Sequence, residues 1–177
     1  MTPRVEYARL MFRWTRQPSF KRFSDGRPSL AKTKKRVMQE AHSLKSRDKF
    51  PSRRWFIKLG DEIAGTVSVH RMSRVSGTAE VGALIAEEFQ GRGVGGRALR
   101  MLVKKVFAET RLRKLLAYVN EKNLASRRMA ERLGFRQEGL LRKQQLLRGK
   151  PVNEAVYGLL RRRSAARPRR TGRRAGS

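Results

Sequence analysis

The segment Gln90-Gly91-Arg92-Gly93-Val94-Gly95-Gly96 has the composition of an anion site. Four glycines in six residues let the backbone turn tightly and approach a ligand with no Cβ in the way. An apolar, strand-like run precedes the segment and an apolar run with helical spacing follows it. At the start of a helix the N–H groups of such a loop point outward, where they suit a phosphate or pyrophosphate. Two phosphate ligands can be tested on spacing alone. Gly91-x-Gly93-x-x-Gly96 has the form of a dinucleotide fingerprint, with Glu121 near the place of a ribose-binding acid. The spacer Glu87-Glu88-Phe89-Gln90 weakens that match, because the fingerprint glycine normally follows its strand at once. Too little chain remains for a second mononucleotide half. A nucleoside-triphosphate P-loop needs Gly-Lys-Ser/Thr, and Gly96-Arg97-Ala98 stands there instead.

The elements that must hold this loop follow from periodicity. Residues 5–15 read as a short helix carrying Leu10, Met11 and Trp14, and residues 16–28 as a basic loop. Ser29 caps a second helix through about Leu44, with Leu30, Val37, Met38, Ala41 and Leu44 on its apolar side. A basic loop to Arg53 leads into a strand at 55–59, a tight turn at Gly60-Asp61, and a strand with Ile63, Gly65, Val67 and Val69 on one face. Ala64, Thr66, Ser68 and His70 lie on its other face. A third strand spans 78–86. After the glycine loop, Ala98, Leu99, Leu102, Val103, Val106 and Phe107 mark an amphipathic helix. A short strand at 115–119, a helix at 123–133 ending at Gly134, and strands at about 139–147 and 154–160 complete the order. The class is mixed α/β around a partly antiparallel sheet.

Composition narrows the chemistry. With no Cys there is no thiolate metal site, disulfide or Cys nucleophile, and neither the two His nor the fourteen acids show metal-ligand spacing. No apolar run is long enough to span a bilayer and no signal-peptide core is visible, so a cytoplasmic protein is expected. The formal charge of +30 favours anionic partners. Residues 161–177 hold eight Arg and no acid, and read as a disordered tail with a capacity for nonspecific RNA contact, leaving 1–160 as the folded domain. Most of the positive excess stays on that domain.

A third reading of the glycine loop is a coenzyme A pyrophosphate cradle. Here the chain resembles the GNAT acetyltransferase superfamily, whose signature Gln/Arg-x-x-Gly-x-Gly/Ala is met by Gln90-Gly91-Arg92-Gly93-Val94-Gly95. Asn123-Leu124-Ala125-Ser126 followed by Glu131-Arg132-Leu133-Gly134-Phe135 is similar to the second half of that family's site. Gly139-Leu140-Leu141-Arg142, Tyr157-Gly158-Leu159-Leu160 and Trp14-Thr15-Arg16-Gln17-Pro18 resemble its Rim-like branch. That branch holds N-terminal acetyltransferases of ribosomal proteins and enzymes acetylating nucleotide-linked amino sugars. The resemblance covers about residues 5–160. It implies a mostly antiparallel GNAT sheet flanked by helices. With only about five residues before the first helix, the family's first strand is expected to be stunted or missing.

The resemblance implies direct attack of an amine on the thioester of acetyl-CoA, without a metal. Pantetheine would lie beside the strand ending Leu84-Ile85, whose N–H groups would polarise the thioester oxygen. The pyrophosphate would rest on the N–H groups of Gly91, Arg92, Gly93, Val94, Gly95 and Gly96 behind Gln90, with Arg92 and Arg97 adding charge. Asn123 would cap the following helix or bond pantetheine. An alkylammonium, with a pKa of about 10, must lose a proton before it attacks. Glu80 is the first candidate base, with Gly82 and Leu84 on its face, and His70 the second. Many GNAT enzymes protonate the leaving thiolate with a Tyr where this chain has Ala130; Ser126 is the candidate acid instead. The branch usually carries Asp at the position of Asn153, and Glu154 beside it would point to the opposite face. The acceptor expected from the charge is a ribosomal protein or nucleotide-linked amino sugar; a polycation would be repelled unless an acidic pocket forms locally. The competing class is a non-catalytic basic RNA- or ribosome-binding protein on the same scaffold.

Overall fold

The computed structural model describes residues 6–24, 29–43 and 52–162. The expected tail, apart from Arg161 and Arg162, the basic loop before Arg53 and any strand within residues 1–5 lie outside the described residues. Helices α1 (Tyr7–Trp14), α2 (Pro18–Lys21) and α3 (Leu30–Ser43) come first. Strands β1 (Ser52–Leu59), β2 (Glu62–Ser73) and β3 (Thr78–Ile85) form an antiparallel meander. Helix α4 (Val94–Glu109), β4 (Lys114–Asn120), α5 (Leu124–Arg132) and the hairpin β5 (Arg136–Leu147) and β6 (Lys150–Leu160) complete the fold. The sheet order is β1-β2-β3-β4-β6-β5, and only β3 with β4 runs parallel.

Both faces of β2 are covered, which its alternating pattern did not show. Val67 and Val69 pack with Leu99, Leu102 and Val106 of α4. On the other face Ala64 joins Met11 and Trp14 of α1, Val37 of α3 and Phe56 of β1. Met38, expected on the apolar side of α3, is exposed; Val37 faces inward as expected, and Thr33 joins it. The expected loop at 16–28 contains α2, whose Pro18 stands at the first turn, where its missing N–H costs nothing. Ser29 does cap α3, its Oγ accepting from the Lys32 N–H at 3.2 Å. The strands β1, β5 and β6 run further than periodicity indicates, because polar residues such as Arg53, Arg136 and Lys150 continue the ladders.

Two features prepare the site. The spacer Glu87–Phe89 is a 3₁₀ turn held from the N-terminal helices: Gln17 accepts from the Glu87 N–H at 3.0 Å and donates to the Glu88 carboxylate at 3.0 Å. And β3 and β4 pair only from Thr78–Glu80 to Lys114–Leu116, then part. Residues 81–85 stay with β2, while β4 stays with β6 through Asn120. Gly65 keeps β2 close to β3 here: a Cβ at this position would sit 2.3 Å from the Leu84 carbonyl oxygen. Gly65→Val is expected to lower stability by about 1–3 kcal/mol through this overpacking. A thermal melt should show a midpoint reduced by several degrees; a midpoint equal to wild type would refute the close approach.

Candidate active site

The glycine loop is built for an anion. Gly93 stands as the N-cap of α4 with φ +72°, and Gly91 has φ +75°, both left-handed conformations that disfavour any side chain. The first helical bond runs from the Arg97 N–H to the Gly93 carbonyl at 3.1 Å, so the N–H groups of Val94, Gly95 and Gly96 lie ahead of the ladder. No acidic residue occupies this first turn. Gly95 is buried, and a Cβ there would meet Ile85 Cγ1 at 3.1 Å and Met129 Sδ at 3.3 Å. Thus α4 starts directly on the end of β3 and against α5. Arg92 covers the Phe89 ring at 5.7 Å, and Arg97 Nη1 would be 3.3 Å from a Cβ at Gly93. The Gln90 side chain has a structural partner set: its Nε2 donates to the Ile85 carbonyl at 2.9 Å and to Ser19 Oγ at 3.1 Å. It locks the loop to β3 and α2.

Across the gap, Asn123 caps α5, its Oδ1 accepting from the Ser126 N–H at 3.1 Å. Ser126 is half-buried on the first turn, one turn before Met129. The Leu84 and Ile85 main chain borders the gap from β3. The loop, α5 and Ser126 therefore share one side of the opening with α4.

The other side carries the titratable groups. His70 and Glu80 are register partners on β2 and β3, with Nε2 to Oε2 at 3.2 Å. Arg71 Nη1 donates to Glu80 Oε1 at 3.1 Å from a backbone with φ 48°, set at the register shift that follows His70. Burial holds the His70 imidazole below its ordinary pKa; the Glu80 charge opposes this and Arg54, Arg36 and Arg71 reinforce it. A neutral His70 donates from Nε2 to Glu80 and leaves the lone pair on Nδ1, a buried atom. The two candidate bases are therefore one pair.

Sequence reasoning missed Glu154 as a member of this face. Its side chain does point away from that of Asn153, and the side it points to is that of Glu80. It is 7 % exposed, and Gln145 Nε2 donates to its Oε1 at 2.5 Å. Burial, with the Glu80 charge second, pushes its carboxyl above the usual range. The strand parity was readable, but the register that sets β6 opposite β4 was not. Asn153 holds the α5 side together: its Nδ2 donates to Glu121 at 2.9 Å and its Oδ1 accepts from the Lys143 N–H at 2.9 Å. An Asp there could not donate to Glu121. Ala130 is buried on the inner face of α5 and offers no proton. Tyr157, fully buried, accepts from Arg127 Nε and donates to Glu131, each at 3.0 Å, a contact that braces α5.

Among the described residues no helix is long and apolar enough to cross a membrane. Residues 2–136 match the model of the acetyltransferase (GNAT) domain. The chain is 34 % identical over 100 residues to the putative ribosomal N-acetyltransferase YdaF of Bacillus subtilis (strain 168), covering 56 % of this chain and 55 % of that one. It is 30 % identical over 101 residues to the spermidine N(1)-acetyltransferase of Escherichia coli (strain K12), covering 57 % and 54 %. These matches span about half the length of the curated relatives. In structure it is similar to RimL, a ribosomal L7/L12 alpha-N-protein acetyltransferase solved with coenzyme A, with a TM-score of 0.79, 19 % identity and coverage of 89 % and 90 %.

The raised Glu154 carboxyl fixes a pH dependence. A folded pKa above the unfolded one adds stability below the unfolded value, about 4.3, and loses it as pH rises through the folded value. Glu154→Gln keeps an acceptor for Gln145 and removes the buried charge. Its melting temperature relative to wild type is expected to rise between pH 4 and pH 8, by about 2–4 °C for each kcal/mol relieved. A difference independent of pH would contradict the assignment.

Proposed function

We propose that this chain, which belongs to the acetyltransferase (GNAT) domain family, transfers the acetyl group of acetyl-CoA directly to a primary amine. The observation that carries this reading is the alignment of an anion cradle at the start of α4 with the unpaired halves of β3 and β4 and a His–carboxylate pair on the far side of the sheet. The diphosphate lies on the N–H groups from Gly91 to Gly96, where the α4 dipole adds to the charge of Arg92 and Arg97. Pantetheine enters the gap as a surrogate strand, pairing with main-chain groups that β4 leaves unpaired. An N–H at Leu84 or Ile85 polarises the thioester carbonyl and stabilises the oxyanion as the amine adds. The cradle and Asn123 hold the donor from the α4–α5 side. The acceptor arrives from the side of Glu80.

The amine attacks as the free base. The Glu80 carboxylate takes the proton of the attacking nitrogen, directly or through water, and His70 Nε2 orients that carboxylate from the neighbouring strand. Arg71 in turn fixes Glu80. As the tetrahedral intermediate collapses, the C–S bond breaks and the Ser126 hydroxyl protonates the departing thiolate, recovering its proton from solvent. The products are an acetylated amine and coenzyme A. A protein N-terminus or an amino sugar is the acceptor class, in keeping with relatives that act on ribosomal proteins.

Gly93→Val forces a side chain into a left-handed cap and over the cradle. Its affinity for acetyl-CoA, measured by calorimetry, is expected to fall at least tenfold, while NADH gives no heat with wild type. Equal affinity in the variant would remove the loop from the donor site. Ser126→Ala is expected to lower kcat by about 10- to 100-fold with acetyl-CoA affinity within twofold; a wild-type kcat would exclude the hydroxyl as the acid.

A further inference from the structure

Asn120 and Glu154 are register partners at the point where the sheet opens. Asn120 ends β4, and Glu154 stands opposite it on β6. By strand parity both side chains lie on the face of Glu80. Each residue is 7 % exposed.

The two side chains are held in defined orientations. Asn120 Oδ1 accepts from the Lys122 N–H at 3.0 Å, which fixes the amide and leaves Nδ2 as its other end. That Nδ2 is buried and has no partner among the described residues. An unpaired buried donor costs about 1–3 kcal/mol, so its retention calls for a ligand that supplies the acceptor. Gln145 holds Glu154 by Oε1, which leaves Oε2 as its second acceptor. Glu154 also feels the Glu80 charge, so the pair and the proposed base share one opening.

We propose that Asn120 and Glu154 together recognise the acceptor, and that they select an aminoacyl group, a free α-amine adjacent to a carbonyl. This rests on the acetyl-transfer reading above. Glu154 accepts a hydrogen bond from the α-amine, and Asn120 Nδ2 donates to the carbonyl oxygen beside it. Directly opposed strand residues have Cα atoms about 4.5–5.5 Å apart, a spacing that suits the neighbouring nitrogen and oxygen of one aminoacyl unit. An aliphatic amine or polyamine satisfies Glu154 but offers nothing to Asn120, whose donor stays unpaired. Proton chemistry favours the same choice. An α-amine has a pKa of about 7.7–8.0 against about 10 for an alkylamine, so a far larger share of it is already the free base near neutral pH.

The test uses the full chain with acetyl-CoA and two amines of similar size, alaninamide and sec-butylamine. Thioester loss is followed for wild type, Asn120→Ala, Asn120→Asp and Glu154→Gln. The ratio of variant to wild-type kcat/KM for each amine cancels the difference in their basicity. For both Asn120 variants this ratio is expected to fall at least tenfold further with alaninamide than with sec-butylamine. Asn120→Asp keeps the acceptor for Lys122 and serves if the Ala variant does not fold. Glu154→Gln is expected to raise KM for alaninamide at least fivefold. Equal losses on both amines in the Asn120 variants, or an unaltered KM in Glu154→Gln, would overturn the recognition pair while leaving acetyl transfer in place. Absence of turnover by wild type with either amine, together with no calorimetric binding of acetyl-CoA, would overturn the acetyl-transfer reading and this assignment with it.

Discussion

The parting of β3 from β4 after three paired residues is the constraint on which the site depends. Each strand follows its other neighbour: β3 remains with β2 to Ile85, and β4 remains with β6 to Asn120. The separation leaves main-chain donors and acceptors facing across a gap, and a buried unpaired group costs about 1–3 kcal/mol. Such a defect survives in a sheet when the surrounding packing imposes it and a ligand completes it. The packing is visible on both sides. Gly65 lets β2 grip the end of β3, and the Ala86 N–H donates to the Ala64 carbonyl at 2.9 Å just beyond it. The buried Tyr157, bonded to Arg127 and Glu131, ties β6 to α5.

The gap also divides labour between the two faces of the sheet. On one face α4 begins on Ile85 and presents amides without acids; on the other His70, Glu80 and Glu154 stand together. In the reaction proposed above, a donor carrying phosphates and an acceptor carrying an amine need opposite electrostatics. A single-sided pocket would set the carboxylates against the diphosphate. Placing them on opposite faces lets each act locally, with the reacting atoms meeting in the plane of the sheet.

Much of this was legible in the sequence. Element order and type followed from periodicity, and the glycine loop carries a local signal of its own, whereas Asn123 and Ser126 stand out only through the resemblance to a family pattern. What escaped was set by long-range contacts. Gln17 and Ser19 brace the loop across about seventy residues of chain, and nothing local marks them. Gln90 reads as a ligand residue from its motif, yet its side chain holds Ile85 and Ser19. Glu80 and His70 were found singly, while their pairing depends on the β2–β3 register. The Glu154 position needed one fact more, the register of β6 on β4, which a strand pattern does not specify.

The charge of the chain bears on the acceptor in a way that composition alone reverses. A net +30 argues against cationic acceptors by long-range repulsion. That field is screened over about 8–10 Å at ordinary ionic strength, whereas Glu154 and Glu80 lie in a partly dry cleft where attraction is screened less. Arg71 bonds Glu80 and offsets part of that local charge, so what holds an amine here is a directed hydrogen bond to a carboxylate more than the net charge of the site. Repulsion therefore governs what reaches the protein, and disfavours a free polyamine with several charges. The cleft governs what is held once there, and favours a single amine. An aminoacyl group at the end of a neutral or anionic carrier satisfies both, because it brings one titratable nitrogen to the carboxylates and leaves its carrier in the positive field.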